Sequence, residues 1–92
     1  MIASYKCINT HALAQGKRVL RWVNIERVAA RKLMQLALAT CLEDLRVPPN
    51  NRLEALKGDR VGQYSIRIND QYRLCFRFID GKAWDVEIVD YH

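Results

Sequence analysis

Seven basic residues fall between positions 46 and 77 (Arg46, Arg52, Lys57, Arg60, Arg67, Arg73 and Arg77), against three acidic ones, Glu54, Asp59 and Asp70. Residues 64–68 and 72–79 alternate apolar and polar positions, and successive side chains of a strand take opposite faces. Tyr72, Leu74, Phe76 and Phe78 therefore share one face, and Arg73, Cys75 and Arg77 the other; Tyr64, Ile66 and Ile68 stand opposite Ser65, Arg67 and Asn69. The apolar sets need cover from helices, which leaves Arg67, Arg73 and Arg77 together on an uncovered sheet face, with Lys57 and Arg60 extending the patch. Exposed sheet faces are polar in any protein. The excess of cations is what turns this one towards a phosphate-binding surface. The chain closes on Asp90, Tyr91 and His92, which continue a strand whose neighbours carry the arginines. Their side chains can reach a phosphate held there, and a histidine exchanges protons near neutral pH.

Other chemistry-bearing residues read as structural. His11 opens a short helix without titratable company and belongs on the surface, and Trp22 is a packing residue. Tyr64, Tyr72 and Trp84 are core by strand parity. The chain has no G-x-x-x-x-G-K-[ST], no H-E-x-x-H and no G-x-S-x-G, and no carboxylate and histidine cluster with metal spacing. Cys7, Cys41 and Cys75 are odd in number and widely spaced, so neither a zinc site nor a disulfide framework is indicated, and a reduced cytosol is the natural compartment. Chemistry here must be metal-free, without a cofactor, and carried by basic side chains.

Residues 2–8 alternate and suit a first strand. Asn9 and Thr10 can cap a short helix that Gly16 ends. From Asn24, an N-cap residue followed by Glu26, the spacing becomes helical. Ile25, Val28, Ala29, Leu33, Leu36, Ala37 and Thr40 fall on one side and Arg27, Arg31 and Gln35 on another. This is an amphipathic helix of about four turns, and Pro48-Pro49-Asn50-Asn51 marks the break after it. Residues 53–56 form a short apolar segment, residues 58–62 a loop, residues 69–71 a hairpin connection and Asp80-Gly81 a tight turn before a last strand over 84–89. The order predicts an α+β fold, with N-terminal helices packed on one face of a small antiparallel sheet.

The chain has 92 residues, half of them apolar and 27% charged, with a formal net charge of +5. That is one domain, residues 1–92, able to bury a single core, with a surface field that attracts anions. No segment has the length and apolarity of a signal peptide or membrane span, and no membrane association is expected.

The stretch N-R-L-E-A-L-K-G-D-R-V-G-Q-Y-S-I-R-I-N-D-Q-Y-R-L-C-F over residues 51–76, with the ending V-E-I-V-D-Y-H over 86–92, closely resembles the HigB toxins of the RelE/ParE superfamily. The likeness covers the whole chain in length and element order. It implies a RelE-like fold, the toxin role in a type II toxin–antitoxin system, and ribosome-dependent cleavage of mRNA in the A site. It also implies a HigA-like helix-turn-helix antitoxin, through whose complex alone the toxin meets operator DNA. By motif position, Arg73, Lys57, Tyr91 and His92 match the family's catalytic set. Gln71 and Asp90 lie beside them and join Arg60, Arg67 and Arg77 as expected RNA contacts. Some family members carry histidine where this chain has Glu54. A carboxylate there weakens attraction for phosphate but can accept a proton.

The implied reaction is attack of a ribose 2′-OH on the adjacent phosphorus, which needs no metal if cations stabilise the added negative charge. Two other readings explain part of the sequence. A ParE-like gyrase poison shares the fold without needing Arg73 or the terminal Tyr-His, and a non-catalytic nucleic-acid-binding domain explains the charge but not the ending.

Overall fold

The computed structural model describes residues 1–90. Two helices, α1 (Ile8–Ala14) and α2 (Glu26–Leu38), precede four strands, β1 (Glu54–Ala55), β2 (Tyr64–Arg67), β3 (Tyr72–Ile79) and β4 (Lys82–Asp90). The strands form an antiparallel meander in the order β1-β2-β3-β4, which is the expected α+β architecture. Single 3-10 turns at Leu20–Trp22, Leu42–Arg46, Pro49–Asn51 and Gly58–Arg60 fill the connections. Among the described residues no helix is long and apolar enough to cross a membrane.

α2 forms because Ala29, Leu33 and Leu36 recur at spacings of four and three and are buried on the sheet. They meet Ile66, Leu74, Phe76, Val86 and Ile88, the apolar faces of β2, β3 and β4, in one core cluster. Each large apolar side chain so buried contributes about 1.5–3 kcal/mol. Gly16 ends α1 as expected, with φ +85° and its N–H on Leu13 O at 3.0 Å.

The N-termini of the helices differ from expectation. α1 begins one residue before Asn9, with Cys7 at the N-cap, and Thr10 accepts the Ile88 N–H at 3.0 Å instead of capping. That bond pins α1 to β4 through a fully buried hydroxyl. α2 takes Ile25 as its N-cap, not Asn24, because Trp22 and Ile25 are both buried and the Ile25 N–H already bonds Trp22 O at 3.0 Å. Gln35, on the other side of α2, is half-buried. Its amide donates to Val47 O at 2.5 Å and accepts from buried Asn51 at 3.1 Å, which fastens the segment after α2 onto the helix. Thr40 lies past the end of α2 and is exposed, bonded through its N–H to Asp44 Oδ2 at 2.9 Å.

Residues 2–8 do not form a full strand. They run parallel to β4 and pair with it at two isolated bridges, Ile2 with Ala83 and Tyr5 with Val86. The cause lies in β4. Its register against β3 shifts between Cys75 and Arg77, and Asp85 stands in the left-handed region at φ +54°. The two bridges straddle this bulge, so no continuous ladder can form across it. Ser4 instead accepts the Asp85 N–H on its hydroxyl at 2.8 Å. At the other end of β3 and β4, Asp80 and Gly81, at φ +54° and +74°, make the tight turn the dipeptide predicts.

Candidate functional site

Arg73 is the centre of the outer sheet face, the side away from the helices. It sits on β3 between β2 and β4, with Arg67 and Val89 as its cross-strand partners. The sequence places it on an open face, but its residue is only 8% exposed. The segment leading into β1 folds over it. Arg52, at φ +45° after the Pro49–Asn51 turn, aims its carbonyl at the guanidinium, which donates to it from Nη2 at 2.6 Å. Nε donates to the buried Ser65 hydroxyl at 2.7 Å, and Glu54 Oε1 lies 3.2 Å from Nη2. A planar cation held from several directions has little rotational freedom left. Its charge is therefore fixed in direction before any ligand arrives.

The remaining arginines do not form one open patch. Arg60 reaches across the face to Glu87 at 3.2 Å and Gln63 at 3.0 Å. Gln63 is largely buried, and Cys75, two residues along β3 from Arg73, is fully buried, which pushes its thiol up to about 11. Arg67, directly opposite Arg73, pairs with Asp70, whose side chain is 99% exposed. Arg77 lies four residues along β3 and pairs with Asp85 at 3.5 Å. Each expected phosphate-binding arginine thus meets a carboxylate. Exposed pairs such as Arg67–Asp70 exchange their partner at little cost, because surface ion pairs are worth about 0–1 kcal/mol. Lys57 is exposed and makes no ion pair among the described residues. It follows β1 and caps the Gly58–Arg60 turn, three residues after Glu54.

Gln71 and Asp90 come together where the β2–β3 hairpin meets the end of β4. The Gln71 amide donates to Asp90 Oδ2 at 3.0 Å, and Asn69 Oδ1 accepts the Gln71 and Tyr72 N–H groups at 2.9 and 2.7 Å. Asp90 also lines a cavity of about 300 Å³ with Arg21, Trp22, Tyr72 and Ile88. Trp22 is buried, as expected of a packing residue, and Arg21 stacks over its ring at 4.6 Å. Tyr91 and His92 lie outside the described residues.

A sequence model described as the RelE-like toxin of type II toxin–antitoxin system HigB matches residues 10–92. The chain belongs to this HigB-like toxin family. It is 50% identical over 60 residues to Toxin HigB-1 of Vibrio cholerae, a match covering 65% of this chain and 63% of that one. It is 44% identical over 41 residues to Endoribonuclease HigB of Proteus vulgaris, covering 45% of each. The matches therefore span less than two thirds of the length of these relatives. Among solved structures, the YoeB-YefM complex from Staphylococcus aureus aligns over 100% of this chain and 98% of that one, at a TM-score of 0.54 and 18% identity. That likeness carries the fold, two helices with a four-stranded antiparallel sheet.

In this HigB-like chain the structure brings together Arg73, Glu54 and Arg67, and separately Gln71 and Asp90. It ties Arg60 to Glu87 and sets Arg77 apart at the far end of the face. Sequence reasoning missed the Arg52 carbonyl and the Ser65 hydroxyl as the groups that orient Arg73. Ser65 carried a usable signal, since it shares the face of Arg67 by parity. The Arg52 carbonyl did not, because a left-handed arginine has no local sequence mark. The third departure is Trp84, placed in the core by parity and found 38% exposed. Counting by twos fails across the bulge at Asp85, so Trp84 sits opposite Arg77, on the outer face, and Ala83 takes the core position opposite Phe78. His11 is exposed as expected, stacked on Tyr5 at 4.6 Å.

Proposed function

We propose that this type II toxin is a ribosome-dependent endoribonuclease that cleaves mRNA in the A site without a metal. The observation that carries the reading is Arg73: a guanidinium fixed by Ser65, the Arg52 carbonyl and Glu54 on the sheet face of a basic chain. A preorganised cation stabilises charge that develops on a phosphate without paying reorganisation at the moment of reaction. The name Endoribonuclease HigB, borne by a relative 44% identical over 41 residues, supports the same reading.

In the proposed reaction the 2′-oxygen attacks phosphorus as the bond from phosphorus to the 5′-oxygen breaks. The 2′-OH proton passes to a base and another proton goes to the leaving oxygen, which gives a 2′,3′-cyclic phosphate and a 5′-OH. Arg73 and Lys57 stabilise the phosphate, Tyr91 and His92 move protons, and the Glu54 carboxylate is a further proton acceptor. Arg60, Arg67, Gln71, Arg77 and Asp90 line the approach of the RNA. The ribosome's part is orientation: a small site with few acid–base groups gains several kcal/mol from mRNA held for in-line attack. A HigA-like helix-turn-helix antitoxin is the proposed partner, and cytoplasm the proposed compartment. Titled as a complex, the YoeB-YefM structure supports a toxin of this fold having a protein partner.

The product ends test this reading. Cut mRNA should carry a 2′,3′-cyclic phosphate, and a single 2′-deoxy nucleotide at the cut position should abolish cleavage. Growth arrest with intact mRNA sinks it.

A further inference from the structure

The β4 bulge turns Trp84 out of the core. Asp85 holds a left-handed backbone that residues other than glycine rarely adopt, and it is fastened there from two sides. Ser4 accepts its N–H at 2.8 Å, and its carboxylate meets Arg77 Nε at 3.5 Å. Strained bulges that re-aim a side chain recur beside functional sites. Here the side chain re-aimed is a tryptophan, moved out of the core to stand opposite Arg77. Its indole N–H donates to Ile79 O at 3.4 Å, which restricts the ring. Lys82, exposed and paired with Ile79 across the hairpin, adds a second cation. Arg77 passes close to Gly62, where an added Cβ would lie 2.9 Å from its Nη1.

We propose that Trp84, flanked by Arg77 and Lys82, is a stacking platform for an unpaired RNA base. The proposal rests on the RNA-cleaving reading above and extends it to a second contact. Three observations favour single-stranded RNA as the occupant. An aromatic ring beside cations is the arrangement by which proteins hold unpaired bases and their phosphates. Trp84 shares the outer face with Arg73, four residues further along β3, or about 13 Å at the usual rise per residue. Finally, the chain carries a net charge of +5, which attracts a polyanion. The platform anchors the strand at a distance from the cleaved phosphate, and so sets which nucleotide lies over Arg73.

The test uses a single-stranded oligoribonucleotide with 2′-O-methyl groups, which cannot be cleaved by 2′-oxygen attack, titrated into the whole chain and into Trp84→Phe and Trp84→Ala. Trp22 is 3% exposed, so quenching by a stacked base reports on Trp84. The expected result is quenching in the wild type and none in Trp84→Phe, with affinity about 5- to 150-fold weaker in Trp84→Ala and less so in Trp84→Phe. Thermal unfolding checks that both variants fold. Equal affinity in the wild type and both variants overturns the proposal, as does a Trp84→Ala defect confined to antitoxin binding. Cleavage assays on ribosomes separate the two claims. If the wild type cuts nothing but binds through Trp84, the nuclease reading fails and the platform stands. If folded Trp84→Ala binds and cuts as the wild type does, the platform fails alone.

Discussion

Replacing Ser65 by alanine removes one oxygen from beneath Arg73, and its effect can be worked from the geometry. The Ser65 hydroxyl is fully buried and accepts Arg73 Nε at 2.7 Å, a bond from a charged donor. Such bonds contribute about 1.5–3 kcal/mol, and here the donor is left in a place where water has little access. A loss of about 2 kcal/mol lowers the melting temperature of a domain this size by roughly 8–16 °C. The second effect is on chemistry. Arg52 O and Glu54 still hold Nη2, so the guanidinium stays at the site but pivots. Displacements near 1 Å cost about 10²-fold in rate. Urea unfolding and single-turnover cleavage read the two effects separately, with ribosome affinity expected to change little. A variant within about 0.5 kcal/mol of wild type and fully active would refute the claim that Ser65 orients Arg73.

Two further outcomes follow from the same face. Burial raises the Cys75 thiol from 9.0 to about 11, so above pH 9 the unfolded chain loses this proton first and rising pH favours unfolding. Wild type should therefore lose about 2 kcal/mol more stability than Cys75→Ala between pH 9 and 11, the slope staying below about 1.4 kcal/mol per unit; parallel pH profiles would contradict this. Arg67→Ala should reduce the salt dependence of ribosome binding by a logarithmic slope of about one, because its exposed partner Asp70 yields readily to a phosphate. An unchanged slope would place Arg67 outside the contact.

The fold was largely legible because its signals are local and periodic. The spacing in α2, the alternation in β2 and β3 and the Asp80-Gly81 turn each specify an element from a few neighbouring residues. Parity placed Arg67, Arg73 and Arg77 on the correct side of the sheet. It could not show that residues 52–63 fold back over that side and bring Glu54 to Arg73 and Arg60 to Glu87, since these contacts join distant segments. Trp84 was misplaced by a single inserted residue, because period-two counting inverts beyond a bulge and nothing in Trp84-Asp85-Val86 marks one. The N-terminal strand failed for the same reason, as its neighbour β4 carries that bulge. Glu54, which looked like a weakening of the phosphate site, proved to be a partner of Arg73.

The most direct measurement of the central claim is single-turnover cleavage of a defined mRNA on programmed ribosomes by wild type, Arg73→Ala and a chain lacking His92. Removing the terminal histidine should lower the rate by about 10²–10⁴-fold, as loss of a proton-transfer group does. Arg73→Ala should be at least as slow, and both should still bind ribosomes. Arg73→Ala also removes the cation beside Glu54, so thermal unfolding serves as the folding control. The expected result is folded, ribosome-bound and nearly inactive protein in both cases. Near-wild-type cleavage by folded Arg73→Ala would contradict the assignment of transition-state stabilisation to the guanidinium held between Ser65, Arg52 and Glu54.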